Sequence, residues 1–251
     1  RKHASVHRIT QFLPLVAGFL LEREVSMLRK ALQPERPAVW ILGGAKLNKI
    51  ELLQQALKKA DKILVGGALA FPFLRARGVH VGMSKIDGAS VRHAKELLKK
   101  RVARKIVLPQ DFVVAEKCSP HAATRIALFN EIKSSEIALD IGPETIRQFI
   151  GHLHKARTIV WNGPLGYFEW SKFAKGTREI GQAIGKLKAT SICGGGETVD
   201  AVHKFRLEHH FTHVSTGGGA ALAFLAGEKL PALAALEENY RRWRKKVGVL
   251  L

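Results

Sequence analysis

Four strings of consecutive glycines are the residues of this chain best suited to chemistry. They are Gly43-Gly44-Ala45-Lys46, Gly66-Gly67-Ala68, Gly194-Gly195-Gly196-Glu197-Thr198 and Ser215-Thr216-Gly217-Gly218-Gly219-Ala220. Residues without a Cβ let backbone N–H groups approach a phosphate or a flat base, and a helix that follows offers its positive end. One glycine pair after a strand is usually only a turn; four of them, each after a short apolar run, point to a nucleotide site. None matches G-x-x-x-x-G-K-[ST] or G-x-G-x-x-G, so neither P-loop catalysis nor hydride transfer is supported. A fifth string, Trp161-Asn162-Gly163-Pro164 followed by Gly166-Tyr167-Phe168-Glu169, adds a rigid loop with a carboxylate. Glu169 reads either as a solvated loop acid or as an acceptor for both hydroxyls of a ribose. Glu24, remote from any strand end, is expected to matter less for a nucleotide.

The elements that must position these loops follow from the apolar pattern. Short aliphatic runs at Ala38–Leu42, Lys62–Val65, Lys105–Leu108, Phe112–Ala115, Ile137–Leu139, Thr158–Trp161, Ser191–Cys193 and His213–Val214 read as strands. Amphipathic stretches at Lys49–Lys59, Ala89–Lys100, Pro143–His154, Ala174–Leu187, Thr198–Leu207 and Gly219–Leu225 read as helices, and Gln11–Ala31 as one further long helix with a dense apolar face. The alternation predicts an α/β fold, a Rossmann-like parallel sheet with helices on both faces, whose function sits at the carboxyl ends of the strands.

Composition sets outer bounds. The 251 residues are 46% hydrophobic and 25% charged, the profile of a globular protein with a full core. The longest greasy stretch, Phe12 to Leu21, is too short to span a bilayer, so no membrane association is expected. Cys118 and Cys193 are too few for a disulfide framework, which favours a reducing, cytoplasmic setting. The net charge of +20 and pI near 10.3 attract polyanions in general. In the linear sequence, however, Lys and Arg are scattered through helical segments with no zinc finger, RRM signature or basic arm, so no specific nucleic-acid partner is expected.

Eight collinear strings make a closer identification possible: LGGAK (42–46), LVGGALAFPF (64–73), LPQDFVVA (108–115), DIGP (140–143), WNGPLGYFE (161–169), FAKGT (173–177), GGGET (194–198) and STGGGA (215–220). In this order they resemble phosphoglycerate kinase. The resemblance implies MgATP or MgADP as ligand, with Gly66 and Gly67 against the adenine, Asn162, Gly163 and Pro164 shaping the ribose side, and Glu169 on the ribose hydroxyls. It places Lys46 at the transferring phosphoryl group and the helix start at Gly217, Gly218 and Gly219 where charge builds on that group. Gly44, Ala45, Gly196, Glu197 and Thr198 complete the implied nucleotide set, and Glu197 stands where the family usually has an Asp that supports Mg²⁺. The family's GGAKxxxK spacing is one residue shorter here, so Lys49 reads equally as its second lysine or as a solvated first-turn lysine.

Three units are expected on this resemblance: residues 1–35 as the remnant of an N-terminal domain plus an interdomain helix, 36–236 as the nucleotide-binding domain, and 237–251 as a basic C-terminal tail. Arg1 would be the remnant of the triose site, residue 1 a cut point, and 3-phosphoglycerate a substrate only in company with the N-terminal domain. A freestanding nucleotide-binding module without turnover is the alternative. Polyanion binding driven by charge is a third reading with only composition behind it.

Overall fold

The computed structural model describes residues 2–44 and 50–247. Within these, the strands are β1 (Ala38–Leu42), β2 (Lys62–Val65), β3 (Ile106–Val107), β4 (Asp111–Ala115), β5 (Thr124–Leu128), β6 (Ile137–Ile141), β7 (Thr158–Asn162), β8 (Thr190–Cys193) and β9 (His213–Val214). The helices are α1 (Phe19–Leu32), α2 (Ile50–Lys59), α3 (Ala70–Ala76), α4 (Gly88–Leu98), α5 (Pro143–Leu153), α6 (Lys175–Gly185), α7 (Gly196–Lys204), α8 (Gly218–Leu225) and α9 (Pro231–Val247).

Six strands form one parallel sheet in the order β3-β2-β1-β7-β8-β9, as the alternation of apolar runs and helices predicts. Successive side chains of a strand point to opposite faces, and the core divides accordingly. Trp40 and Leu42 pack into one apolar cluster with Leu53, Leu57, Phe71 and Leu225 from the helices on their side. Val39 and Ile41 join the other, with Phe149, Leu153, Ile180 and Val202. The register places Leu42 opposite both Val65 and Asn162, and Cys193 opposite Trp161 and Val214. The strands therefore end nearly level, and the chain winds outward in two directions from β1 and β7. Such a reversal is where an open parallel sheet binds its ligands.

Two expected strands are not part of that sheet. Phe112–Ala115 and Ile137–Leu139 lie in β4 and β6 of a separate antiparallel sheet, ordered β5-β4-β6. The reason is connectivity: a parallel return needs a crossover of about a dozen residues, and only residues 108–110 separate β3 from β4. The strand β5 and the helices α3 and α9 have no counterpart in the expected elements, and 237–247, expected as a tail, lie within α9.

The long helix expected over Gln11–Ala31 is also corrected. Ala4–Arg8 forms a π-type turn, Ile9–Gln11 a 3₁₀ turn, and α1 begins only at Phe19. Pro14 has no N–H to give a helix, and Gly18 occupies the N-cap position. The apolar face is real but uncovered: Phe12, Val16 and Phe19 are 74%, 87% and 91% exposed, while α1 buries Leu28 and Ala31 below.

The irregular segment before α1 is held from the far end of the chain. The buried Asn239 of α9 donates through Nδ2 to the carbonyls of Thr10 (2.6 Å) and Leu13 (2.8 Å) and accepts the Leu15 N–H at Oδ1 (2.7 Å). Removing such a group leaves the backbone carbonyl of buried Thr10 and two partly buried backbone groups without their partner, at about 1–3 kcal/mol. Asn239→Ala is therefore expected to lower unfolding stability by about 1–3 kcal/mol in urea titrations. A loss below about 0.5 kcal/mol, the usual surface range, would show that α9 does not clamp this segment.

Candidate functional site

The loops at the carboxyl edge are joined to one another by backbone hydrogen bonds that continue the parallel ladder past the strand ends. Gly43 N–H donates to Asn162 O (2.8 Å), Gly44 N–H to Pro164 O (2.6 Å), Gly66 N–H to Leu42 O (2.8 Å), Gly194 N–H to Trp161 O (3.0 Å) and Ser215 N–H to Cys193 O (2.8 Å). This closeness excludes side chains. A Cβ on Gly43 would stand 2.3 Å from Pro164 O, and one on Gly163, which has φ +93°, would stand 2.2 Å from the carbonyl carbon of Gly43.

Asn162 and Thr198, two of the residues that the resemblance places in the nucleotide set, join the loops to one another. Both are buried. Asn162 Nδ2 donates to Gly194 O (2.6 Å), while Thr198 Oγ1 accepts from Gly163 N–H (2.6 Å) and donates to Gly194 O (3.0 Å). Gly66 is buried as well, its missing Cβ making room for Leu165 at 2.5 Å. These residues hold the loops in register from within the protein.

Others of the expected set do face open space. A cleft of about 170 Å³ between the two sheets brings together Gly44, Gly67, Pro164, Glu169 and Glu197. Its walls include Phe71, Phe112, Leu139, Leu165 and Tyr167, with Lys85 at the margin. Phe71 and Phe112 fall within the quoted strings LVGGALAFPF and LPQDFVVA without having been assigned a part in the site, and Leu139 lies just before DIGP. At the same carboxyl edge of the sheet, α7 starts at Gly196 with the cleft-lining Glu197 in its first turn, and α8 starts at Gly218 after Gly217. A Cβ on Gly196, Gly218 or Gly219 would meet no protein atom within 4 Å. At Gly218 the backbone itself, with φ +49°, favours glycine; at Gly196 and Gly219 neither packing nor a positive φ requires it, and the missing side chains leave the helix N-termini open to close approach of an anion. Arg1, Ala45, Lys46 and Lys49 lie outside the described residues.

Two buried carboxylates support the site; Glu24 lies outside every motif, and Asp140 opens the DIGP string without having been given a role. Glu24 on α1 reaches the loop after β9. It accepts from Ser215 Oγ (2.7 Å), Thr216 N–H (2.7 Å) and Thr216 Oγ1 (3.0 Å), and His213 Nε2 stands 3.1 Å away. Burial works to raise its pKa, but these hydrogen bonds outweigh burial and hold it below the usual value. The expectation that Glu24 is remote from strand ends is thus corrected by a contact 191 residues away in sequence.

Asp140, at the floor of the cleft, behaves oppositely. Burial pushes its carboxyl up to about 8, although it accepts hydrogen bonds from Gly176 N–H (2.8 Å) and Ile141 N–H (2.9 Å). Gly166 and Gly176 crowd it so closely that a Cβ on either would come within 2.5 Å of a carboxylate oxygen. Near neutral pH it is largely uncharged, which keeps the floor of the cleft compatible with its apolar walls. Cys193 is raised to about 12 by burial and is chemically inert.

Comparison with known proteins agrees with this arrangement. The family model described as phosphoglycerate kinase matches residues 1–228. Phosphoglycerate kinase of Coprothermobacter proteolyticus is 45% identical over 240 residues, covering 94% of this chain and 61% of that protein. The Rubrobacter xylanophilus enzyme of the same name is 45% identical over 241 residues, 95% of this chain and 61% of that protein. Among solved structures, phosphoglycerate kinase from Coxiella burnetii superposes with a TM-score of 0.90 at 39% identity, over 95% of this chain and 62% of that one. The Pyrococcus horikoshii structure gives 0.86 at 34% identity, over 96% and 62%. The chain thus spans about three-fifths of the length of its relatives.

Asp140 makes the stability of this region pH-dependent with a definite sign. Its pKa is about 8 in the folded chain against an ordinary 3.8, so between those values the folded state binds more protons than the unfolded one. Stability then falls as pH rises through this window. Asp140→Asn is expected to flatten the decline of melting temperature between pH 5.5 and 8.5, measured by differential scanning fluorimetry. Parallel curves for the two proteins would show that Asp140 is not protonated in the native state.

Proposed function

This chain belongs to the phosphoglycerate kinase family, and from that premise we propose that it binds MgADP and MgATP in the cleft between its two sheets, as the donor half of a phosphotransferase. In the reaction, the γ-phosphoryl group of ATP passes to a carboxylate oxygen of 3-phosphoglycerate. The bond from γ-phosphorus to the bridging oxygen breaks, a bond to the carboxylate oxygen forms, and ADP and 1,3-bisphosphoglycerate result. The observation that carries this reading is the convergence of Gly44, Gly67, Pro164, Glu169 and Glu197 on one cleft at the strand reversal.

The roles follow from position. Gly67 and Ala68 offer a flat approach for a base against apolar walls, and the exposed Glu169 supplies two acceptor oxygens for a ribose. The open helix starts at Gly196 and at Gly218–Gly219 direct N–H groups toward phosphates. Lys46 would add the positive charge that phosphoryl transfer needs most at its transition state. Among the described residues no group of three or more His, Cys, Asp and Glu is gathered to hold a metal. That suits a magnesium ion brought by the nucleotide, since Mg²⁺ is commonly held by one or two carboxylates plus phosphate oxygens. Glu197, lining the cleft in the first turn of α7, fits as that carboxylate. When bound, the ion would neutralise charge on the β- and γ-phosphates.

We assign residues 36–236 to the nucleotide-binding unit and the acceptor site to the share of the relatives' length that this chain does not cover. No described helix is long and apolar enough to cross a membrane, and a reducing cytoplasm suits the buried Cys193 and exposed Cys118.

Millimolar MgADP is expected to raise the melting temperature of the 251-residue chain, because a ligand that binds only the folded state stabilises it by mass action. The absence of any shift would remove this reading. Glu169→Ala is expected to weaken ADP binding, measured by calorimetry, while Glu96→Ala, an exposed acid of α4, leaves it unchanged; equal effects would refute the ribose assignment. The chain by itself is expected to show no appreciable turnover of ATP and 3-phosphoglycerate in a coupled assay, since holding donor and acceptor in line is worth roughly 7–11 kcal/mol of barrier.

A further inference from the structure

The basic residues that are scattered in sequence are gathered by topology. Six helix-to-strand turns enter the parallel sheet at residues 33–37, 58–62, 99–105, 154–157, 186–189 and 205–212, and because all six strands are parallel these turns share one edge, opposite the glycine loops. Fourteen Lys and Arg lie in them against three acids, Glu35, Asp61 and Glu208. This edge therefore accounts for more than half of the chain's net charge of +20.

The turn entering β3 supplies five of these cations, and Lys99, Lys100, Arg101 and Arg104 among them are exposed. Lys58, Lys155, Arg157, Lys186 and Lys188 are exposed in the neighbouring turns. One of the three acids, Asp61, is already engaged by Arg36 and by the Ala38 N–H. The turns are also tied to each other: Lys105 Nζ donates to Leu57 O (2.8 Å) and Lys62 Nζ to Arg104 O (3.3 Å). Crowding is felt locally, since burial and the charge of Lys62 together hold His152 below its usual pKa.

A cation at the end of a helix complements the helix dipole, and Lys62 and Lys105 act in that way toward terminal carbonyls. That role needs one cation per helix end and does not account for five in a single turn. We propose that this amino edge of the sheet is a binding surface for the phosphate backbone of duplex nucleic acid, without sequence preference. Six strands at about 4.8 Å spacing set the turns along a front of about 24 Å, which matches several successive phosphates of a duplex. None of the exposed large hydrophobic residues lies in the six turns. The surface therefore lacks the aromatic platforms that single strands stack on and the apolar anchors that a membrane surface would receive.

The test uses a fluorescent 25-base-pair duplex of random sequence and the intact chain, with affinity measured by anisotropy over a salt series. Log affinity is expected to fall linearly with log salt, by about 0.9 per phosphate engaged. The triple variant Lys100→Gln, Lys155→Gln, Lys188→Gln is expected to bind ten-fold or more weakly at low salt and to reduce the slope by about 2–3. A control of equal charge loss, Arg23→Gln, Arg147→Gln, Lys175→Gln, changes residues outside these turns and is expected to have a much smaller effect. Equal losses in the two triples would reduce the binding to net charge and overturn the proposal. Displacement of the duplex by MgADP would put it in the cleft and overturn the proposal too, as would binding to phosphatidylserine vesicles but not to duplex.

Discussion

The candidate site depends on the backbone contact between the ends of β1 and β7. There the ladder runs on beyond the last strand residues, through Gly43 N–H to Asn162 O and Gly44 N–H to Pro164 O. Two chains at that separation leave no volume for a Cβ on Gly43 or Gly163, and both are glycine. From this junction the other loops are fixed in sequence: Gly67 closes on Gly44 and Pro164, Asn162 reaches across to Gly194, and Thr198 joins Gly163 to Gly194. Backbone N–H groups on such a rim can receive an anion without reorganising only if they are stationary before it arrives. The side-chain amide and hydroxyl spent on bracing are what make the glycine loops, otherwise the most permissive backbone in the chain, a preformed surface.

Glu24 and Asp140 show how the same functional group serves opposite ends. Glu24 is held charged by four donors and neighbours, so it fixes the Ser215–Thr216 loop to α1 and thereby relates α8, with its open N-terminus, to the helix that carries the uncovered apolar face. A movement of α1 would be felt at Gly217–Gly219 through this carboxylate. Asp140 has fewer donors and deeper burial, so it is held mostly neutral and serves as a polar spacer between β6, the Gly166 turn and the start of α6. The difference is set by the count of hydrogen bonds against the cost of desolvation, not by residue type.

The glycine loops, the six parallel strands and most helices were legible because each rests on a local signal: apolar runs of fixed period and turn residues at their ends. The separate antiparallel sheet was legible in principle, since three residues between β3 and β4 forbid a parallel return, but apolar runs of equal length conceal the difference. The interrupted helix before Phe19 turned on Pro14 and Gly18, whose effect an apolar face masks. What local pattern does not encode is distance in sequence. Asn239 holding Thr10 and Leu13, and Glu24 holding Ser215, pair residues some 190 to 230 positions apart. Nor does a motif reveal that Asn162 and Thr198 brace the loops and Gly66 accommodates Leu165, since residues inside a motif can serve the ligand or the loop with equal economy of sequence.

The two edges of the sheet follow from a single constraint. In a parallel sheet with helical crossovers, helices that follow strands start at the carboxyl edge and finish at the amino edge, so partial positive charges collect on one side and partial negative charges on the other. At the carboxyl edge the chain leaves α7 and α8 with glycine at the first positions, so that helix-start N–H groups contribute positive potential there. At the amino edge the backbone presents carbonyls, and a positive surface can come only from side chains; it does so in excess of what the helix ends require. Backbone donors fixed by neighbouring loops discriminate by geometry, whereas long exposed lysines and arginines adapt to any regular array of phosphates. On the two proposals made above, a shaped anion site and an adaptable one would lie at opposite ends of the same strands, a strand length apart, so that occupancy of one need not obstruct the other.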